Sequence, residues 1–213
     1  MRGRLAPAAV VALVAAGSAT ARAEDFVVYL DAGTAFPTAP PEFSDFWKTG
    51  ITIGGGFGLR LSPFWEVATV AHYQRLPADE EGQIDGLLLS GPGGVLEIAG
   101  IDGRDVNAIA LVSEIRAHVG RPGSAWDPFL AFGAGFFRVS TTDATVTSTD
   151  PRVGAVTVLG DTDSALAATV GGGMQYAVSP GWRIVLDSIY TIGFTDQSST
   201  EFLPLRIGVA IGG

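Results

Sequence analysis

The sequence predicts an all-β fold, an eight-stranded antiparallel up-and-down transmembrane β-barrel, on three observations. Segments of ten or more residues alternate between an apolar face and a polar or glycine face. The connections between them alternate between short and long. After residue 23 no stretch reaches the ~18 apolar residues of a helical span. Yet the 213-residue chain is 47% hydrophobic with a mean hydropathy of +0.34. In lipid, a closed barrel is the alternative to helices that satisfies every backbone group.

Residues 1–23 read as a cleaved secretory signal peptide. Arg2 and Arg4 open it, Leu5 to Ala16 is nearly free of polarity, and Ala21-Arg22-Ala23 is a small-x-small cleavage site. Its apolar run is too short for the ~20 residues of a spanning helix. Residues 24–213 then form the barrel domain. The chain has 13 basic and 22 acidic residues; losing Arg2, Arg4 and Arg22 leaves 10 and 22, a mature charge of −12. That balance excludes a nucleic-acid binder resting on phosphate contacts. The lack of cysteine removes disulfides, thiol catalysis and Cys-ligated zinc.

The strands follow in order. Residues 26–36 and 64–75 alternate with some irregularity, as do 105–119 and 128–140. Residues 49–61 set Ile51, Ile53, Phe57, Leu59 and Leu61 against Thr52, Gly54, Gly56, Gly58 and Arg60. Residues 166–178 set Leu166, Val170, Met174, Tyr176 and Val178 against Thr169, Gly171, Gly173 and Gln175. Residues 182–192 alternate likewise, and the last strand carries Leu203, Leu205, Ile207, Val209 and Ile211 on one face. Ser62-Pro63, Gly120 to Asp127 and Ser179-Pro180-Gly181 are tight turns, while 37–47, 77–104, 141–161 and 194–201 are long, acidic loops. The apolar runs Leu87-Leu88-Leu89, Val95-Leu96 and Val153 to Leu159 are too short to span and are expected to form hairpins beyond the membrane.

An internal repeat supports the register. Gly54-Gly55-Gly56, Ser62-Pro63, Trp65 and Tyr73 recur 117 residues later as Gly171-Gly172-Gly173, Ser179-Pro180, Trp182 and Tyr190. The eight-residue Trp–Tyr spacing spans roughly 20 Å on a strand tilted by ~40°, the height of an apolar band between aromatic girdles. Trp65, Tyr73, Tyr176, Trp182 and Tyr190 are therefore expected at the membrane interfaces.

With its signal, alternating segments, glycine runs and Ser-Pro-x-Trp turns, the chain resembles the small OmpA/OmpX-like outer-membrane β-barrel family over residues 25–213. The resemblance implies an outer-membrane location, surrounding lipid, assembly by the barrel-assembly machinery and long loops outside. One feature departs from that family: Gly213 stands where such barrels usually end in an aromatic residue.

The same alternation places Asp31, Arg60, Glu66, Glu114, Arg116, Arg183, Asp187 and Arg206 in the lumen, four acids and four bases, as a structural or gating charge network. Eight strands leave room for side chains and little else, so ion pairs filling the interior are expected. His72 and His118 face inward as hydrogen-bonding filler, with no adjacent serine to make a nucleophile. No residue pattern points to a catalytic, cofactor or metal site; the loop acids lack calcium-loop spacing. The expected function is a non-enzymatic structural or surface-interaction role, with an extracellular partner met through the loops. The rivals are a narrow gated pore for small solutes or ions and, third, a lipid-modifying enzyme of the outer membrane. A soluble barrel would need these charges outside and the aliphatic face inside.

Overall fold

The computed structural model describes residues 25–86, 89–91, 94–96, 98–150, 152, 154–195 and 199–212. Residues 1–23, read from the sequence as a signal peptide, and Leu87-Leu88, Val153 and Gly213 lie outside the described residues. In chain order the elements are β1 (Phe26–Ala39), α1 (Pro41–Phe46), β2 (Gly50–Ser62), β3 (Trp65–Leu76), α2 (Glu80–Gly86), β4 (Leu89–Gly91), β5 (Gly94–Leu96) and β6 (Ile98–Gly103). They continue with β7 (Val106–His118), β8 (Trp126–Thr141), β9 (Ala144–Ser148), β10 (Val156–Val158), β11 (Thr162–Ser179), β12 (Trp182–Phe194) and β13 (Ser199–Gly212).

Eight of these strands close a barrel, β1, β2, β3, β7, β8, β11, β12 and β13, with β13 returning to β1. Every pairing is antiparallel. Following partners once around from Val27 leads through Gly58, Ala68, Glu114, Gly133, Thr169, Thr191 and Phe202 to Pro37. The circuit ends ten residues above its start, since 37 − 27 is 10. With eight strands, that stagger requires a strand tilt of about 40°.

Alternation decides which side chains go where. On β3, Glu66, Ala68, Val70 and His72 point inward and are buried, while Trp65 and Tyr73 point outward. On β2 the outward residues Ile51, Ile53 and Phe57 are 61, 57 and 52% exposed. An apolar exterior of this extent, wrapped around a charged interior, has no place in water. The inverted, soluble arrangement is thereby excluded.

The strands run further than the alternation predicts, mainly at the loop end. β1 reaches Ala39, β8 reaches Thr141, β11 starts at Thr162 and β13 starts at Ser199. At the turn end β8 begins at Trp126, inside the stretch read as a turn, because Trp126 and Asp127 pair with Tyr176 and Gln175 of β11. The internal repeat has a spatial meaning. The β2–β3 and β11–β12 hairpins sit half a circuit apart, on opposite walls. Each has a register shift just before its turn, at Arg60/Ser62 and Ala177/Ser179.

The loops depart from the separate hairpins expected of them. β4 and β5 do form a short hairpin. However, β6 of the second long loop pairs with β9 of the third, and β10 completes a three-stranded sheet in the order β10-β9-β6. Strands of three to six residues cannot bury an apolar face alone. Together they enclose Ile101, Ala144 and Val146, packed by Ile84, Ile98 and Val158.

Candidate functional site

The lumen is filled in three levels, beginning at the turn end with the carboxylate of Glu66, whose side chain is fully buried. Tyr29 Oη donates to Glu66 Oε1 at 2.6 Å, and Arg60 Nε and His118 Nε2 approach Oε2 at 3.5 and 3.6 Å. Asp127 Oδ2 accepts from His118 Nδ1 at 2.9 Å and from Arg60 Nη2 at 3.3 Å. Arg60 Nη2 also donates to Gln175 Oε1 at 3.1 Å. Just above, Arg116 Nε and Nη2 donate to Glu114 Oε2 at 3.1 and 3.0 Å. Its guanidinium stacks 4.4 Å from the Tyr29 ring and 5.4 Å from the Phe129 ring.

The second level is built on Arg206. Its Nε donates to Asp187 Oδ1 at 2.7 Å, and its Nη1 lies 2.8 Å from His72 Nε2. The same ring nitrogen is 3.2 Å from Asp31, which Arg206 Nε approaches at 3.9 Å across the β1–β13 closure. The third level, at the loop end, is apolar. Phe137 and Phe202 lie 5.7 Å apart, and α1 lowers Phe43 onto Phe202 with the rings edge-on at 5.2 Å. Pro41 starts that one-and-a-half-turn helix at a position where proline fits. Trp47 anchors its end by donating Nε1–H to Arg104 O at 2.7 Å. The inward glycines make the polar levels possible. A Cβ on Gly54 would lie 2.1 Å from His72 Cδ2, and one on Gly173 would lie 2.6 Å from Asp187 Cβ and 2.8 Å from Phe129 Cζ.

All eight charges assigned inward from the sequence point into the lumen. Seven of them enter the two networks, whereas Arg183 sits at the turn-end rim and donates Nη1–H to Gly212 O at 2.8 Å. Sequence reasoning missed Asp127, placed in a turn, and Tyr29 and Gln175, which carry no charge to mark them. With Asp127 the lumen holds, among the described residues, five carboxylates against four arginines and two histidines. Neither histidine is hydrogen-bonded to a serine among the described residues. Between Asp31, Arg116, Asp187 and Arg206 a cavity of about 10 Å³ remains, room for one water at most.

On the outer wall, Trp65, Tyr176 and Trp182 project outward at the turn end, joined by Trp126, whose ring lies 4.6 Å from that of Tyr176. Tyr73 and Tyr190 project outward toward the loop end. Tyr73 Oη donates to Asn107 Oδ1 at 2.5 Å, and Tyr190 Oη donates to Glu201 Oε2.

An exterior of aliphatic side chains, a closed and filled charged interior, short turns at one end and folded loops at the other define an outer-membrane β-barrel protein. The chain belongs to the family of the outer membrane protein beta-barrel domain, whose model matches residues 8–210. Among solved structures, the neisserial surface protein A matches at 15% identity and a TM-score of 0.58, covering 89% of this chain and 97% of that one. OprG from Pseudomonas aeruginosa matches at 12% identity and a TM-score of 0.47, covering 90% of this chain and 97% of that one. Ail of Yersinia pestis matches at 13% identity and a TM-score of 0.45, covering 87% and 97%. No curated protein matches the sequence. The chain resides in the outer membrane.

Proposed function

We propose that the barrel is a sealed, non-catalytic anchor and that its work is done by the folded loops it displays outside the cell. In the pattern of such barrels the short turns face the periplasm and the long loops face outward. The observation that carries this reading is the pairing of the second and third loops into one sheet with its own apolar cluster. Loops that merely closed the barrel would not need a core.

The charge of these loops sets the chemistry of a partner. Residues 40–49, 77–105, 142–161 and 195–198 contain 13 acidic and three basic residues, which accounts for most of the mature charge of −12. A cationic surface is steered to such a crown and a polyanion is repelled. The polyanion sucrose octasulfate, bound in a structure of Ail, is the wrong sign for it. The eight lumen charges serve as structural fill, and the outward aromatics serve as interface anchors in the surrounding lipid. The barrel-assembly machinery inserts the chain. The pore reading is weakened by three filled levels, and the enzyme reading by histidines committed to carboxylates and arginine.

The test compares the mature chain in nanodiscs with a variant in which residues 77–105 and 142–161, which carry ten of the 13 loop acids, are replaced by short turns. Wild type should capture a lysine-rich peptide in a salt-sensitive manner, and the loop variant should not, while both keep the gel mobility of a folded barrel. Equal capture by both would defeat the loop assignment.

A further inference from the structure

The outer wall carries a cation that the barrel itself does not satisfy. Arg138 projects outward from β8 near its loop end, exposed, and its guanidinium makes no hydrogen bond or ion pair among the described residues. Its register neighbours are Ile109 on β7 and Ser164 on β11. With Leu111, Phe136 and Leu166 these residues line a groove of about 520 Å³. On the far side of β7, opposite Asn107, Arg75 is also an outward cation, but its Nη2 is held by Asp105 at 2.8 Å. The same rim therefore contains one arginine answered by a carboxylate and one left open above an apolar trough.

Trp126 is twelve residues below Arg138 on β8, since 138 − 126 is 12. At ~3.3 Å per residue and a ~40° tilt, that is about 30 Å of height, so Arg138 stands at the upper edge of the apolar band. At that depth a guanidinium is tolerated and meets water or the anionic headgroups of the leaflet, and phosphate suits its forked donors. Elsewhere the acidic crown repels an anionic headgroup, so charge complementarity singles out this place. We propose that the groove holds a phosphorylated, acylated lipid of the outer leaflet, with an acyl chain along Leu111, Phe136 and Leu166 and its phosphate on Arg138. The proposal rests on the wall being the lipid-facing surface and is independent of what the loops bind.

The experiment places the full mature chain in phosphatidylcholine nanodiscs and counts bound molecules by native mass spectrometry. The probes are bis-phosphorylated lipid A, the same acylated disaccharide without phosphates, and inorganic phosphate. Wild type should retain the phosphorylated lipid about tenfold better than the dephosphorylated one, the scale of one charge-assisted contact. Arg138→Gln should abolish that preference, Arg138→Lys should restore part of it, and Arg121→Gln at the turn end should leave it intact. Unchanged heat-modifiable mobility shows that each variant is folded. Equal retention of both lipids, an unchanged preference in Arg138→Gln, or capture of inorganic phosphate in place of the lipid would overturn the proposal. Retention of neither lipid would overturn it too, by removing the lipid contact at this wall, and would leave the loop function standing.

Discussion

Replacing Arg116 with methionine should unfold the lower lumen network from its most enclosed cation. Arg116 is 2% exposed and donates twice to Glu114, itself 1% exposed. Its loss leaves the Glu114 carboxylate without a side-chain donor among the described residues, whereas Glu66 loses a 3.7 Å approach from Arg116 but keeps Tyr29, Arg60 and His118. Breaking one partner out of a buried pair costs about 3–5 kcal/mol, and the lost stacking on Tyr29 adds about 0.5–2 kcal/mol. The expected total is therefore at least about 3 kcal/mol, a shift of more than a hundredfold in the folded-to-unfolded ratio. The assay is reversible urea unfolding in lipid vesicles, followed by tryptophan emission and by gel mobility. The double variant Glu114→Met with Arg116→Met removes both charges and should recover most of the loss, because apolar replacement of a whole buried pair is often neutral. A single-variant cost below about 1 kcal/mol, or a double variant as unstable as the sum of the singles, would show that these charges are solvated and unpaired.

Gly54→Ala should destabilise the barrel and displace the His72 ring from Asp31 and Arg206, visible as a shifted imidazole resonance, because its Cβ would meet His72 Cδ2 at 2.1 Å. Phe43→Ala should cost about 3 kcal/mol, the usual range for emptying an aromatic site, while ion flux stays absent because both polar levels lie beneath it; vesicle flux and urea unfolding check this together. Val146→Asp puts an unpaired charge into the small loop cluster of Ile101, Ala144 and Val146. It should expose the loop sheet to limited proteolysis while leaving heat-modifiable mobility unchanged. Trp182→Ala should slow insertion into preformed vesicles more than Tyr176→Ala does, if the larger indole is the stronger interface anchor.

The barrel was legible because a two-residue period over ten or more residues, with one face aliphatic, admits few other folds. Ile51, Ile53 and Phe57 against Thr52, Gly54 and Gly58 fixed both the strand and its facing. The charges followed from the same period. What escaped was held by tertiary pairing. Asp127 follows a Gly- and Pro-rich turn and reads as part of it; only its partner Gln175 across the β8–β11 pair makes it a strand residue. Phe43 sits in a short segment without a clean period, and its role depends on Phe202 and Phe137, which lie far along the chain. The loop sheet joins residues 98–103 with 144–148, two runs too short to announce a strand alone. The repeat at 117 residues was visible as sequence, but its meaning as opposite walls required the closed ring.

Ion flux through the mature chain in planar bilayers bears most directly on the sealed lumen, where two charged levels and an aromatic cap leave a cavity of about 10 Å³ among Asp31, Arg116, Asp187 and Arg206. Folded protein at high copy number should leave the bilayer at its bare conductance, for both cations and anions. Discrete, reproducible conductance steps from protein with folded-barrel mobility would contradict the sealed lumen and make the arginine–carboxylate network a gate.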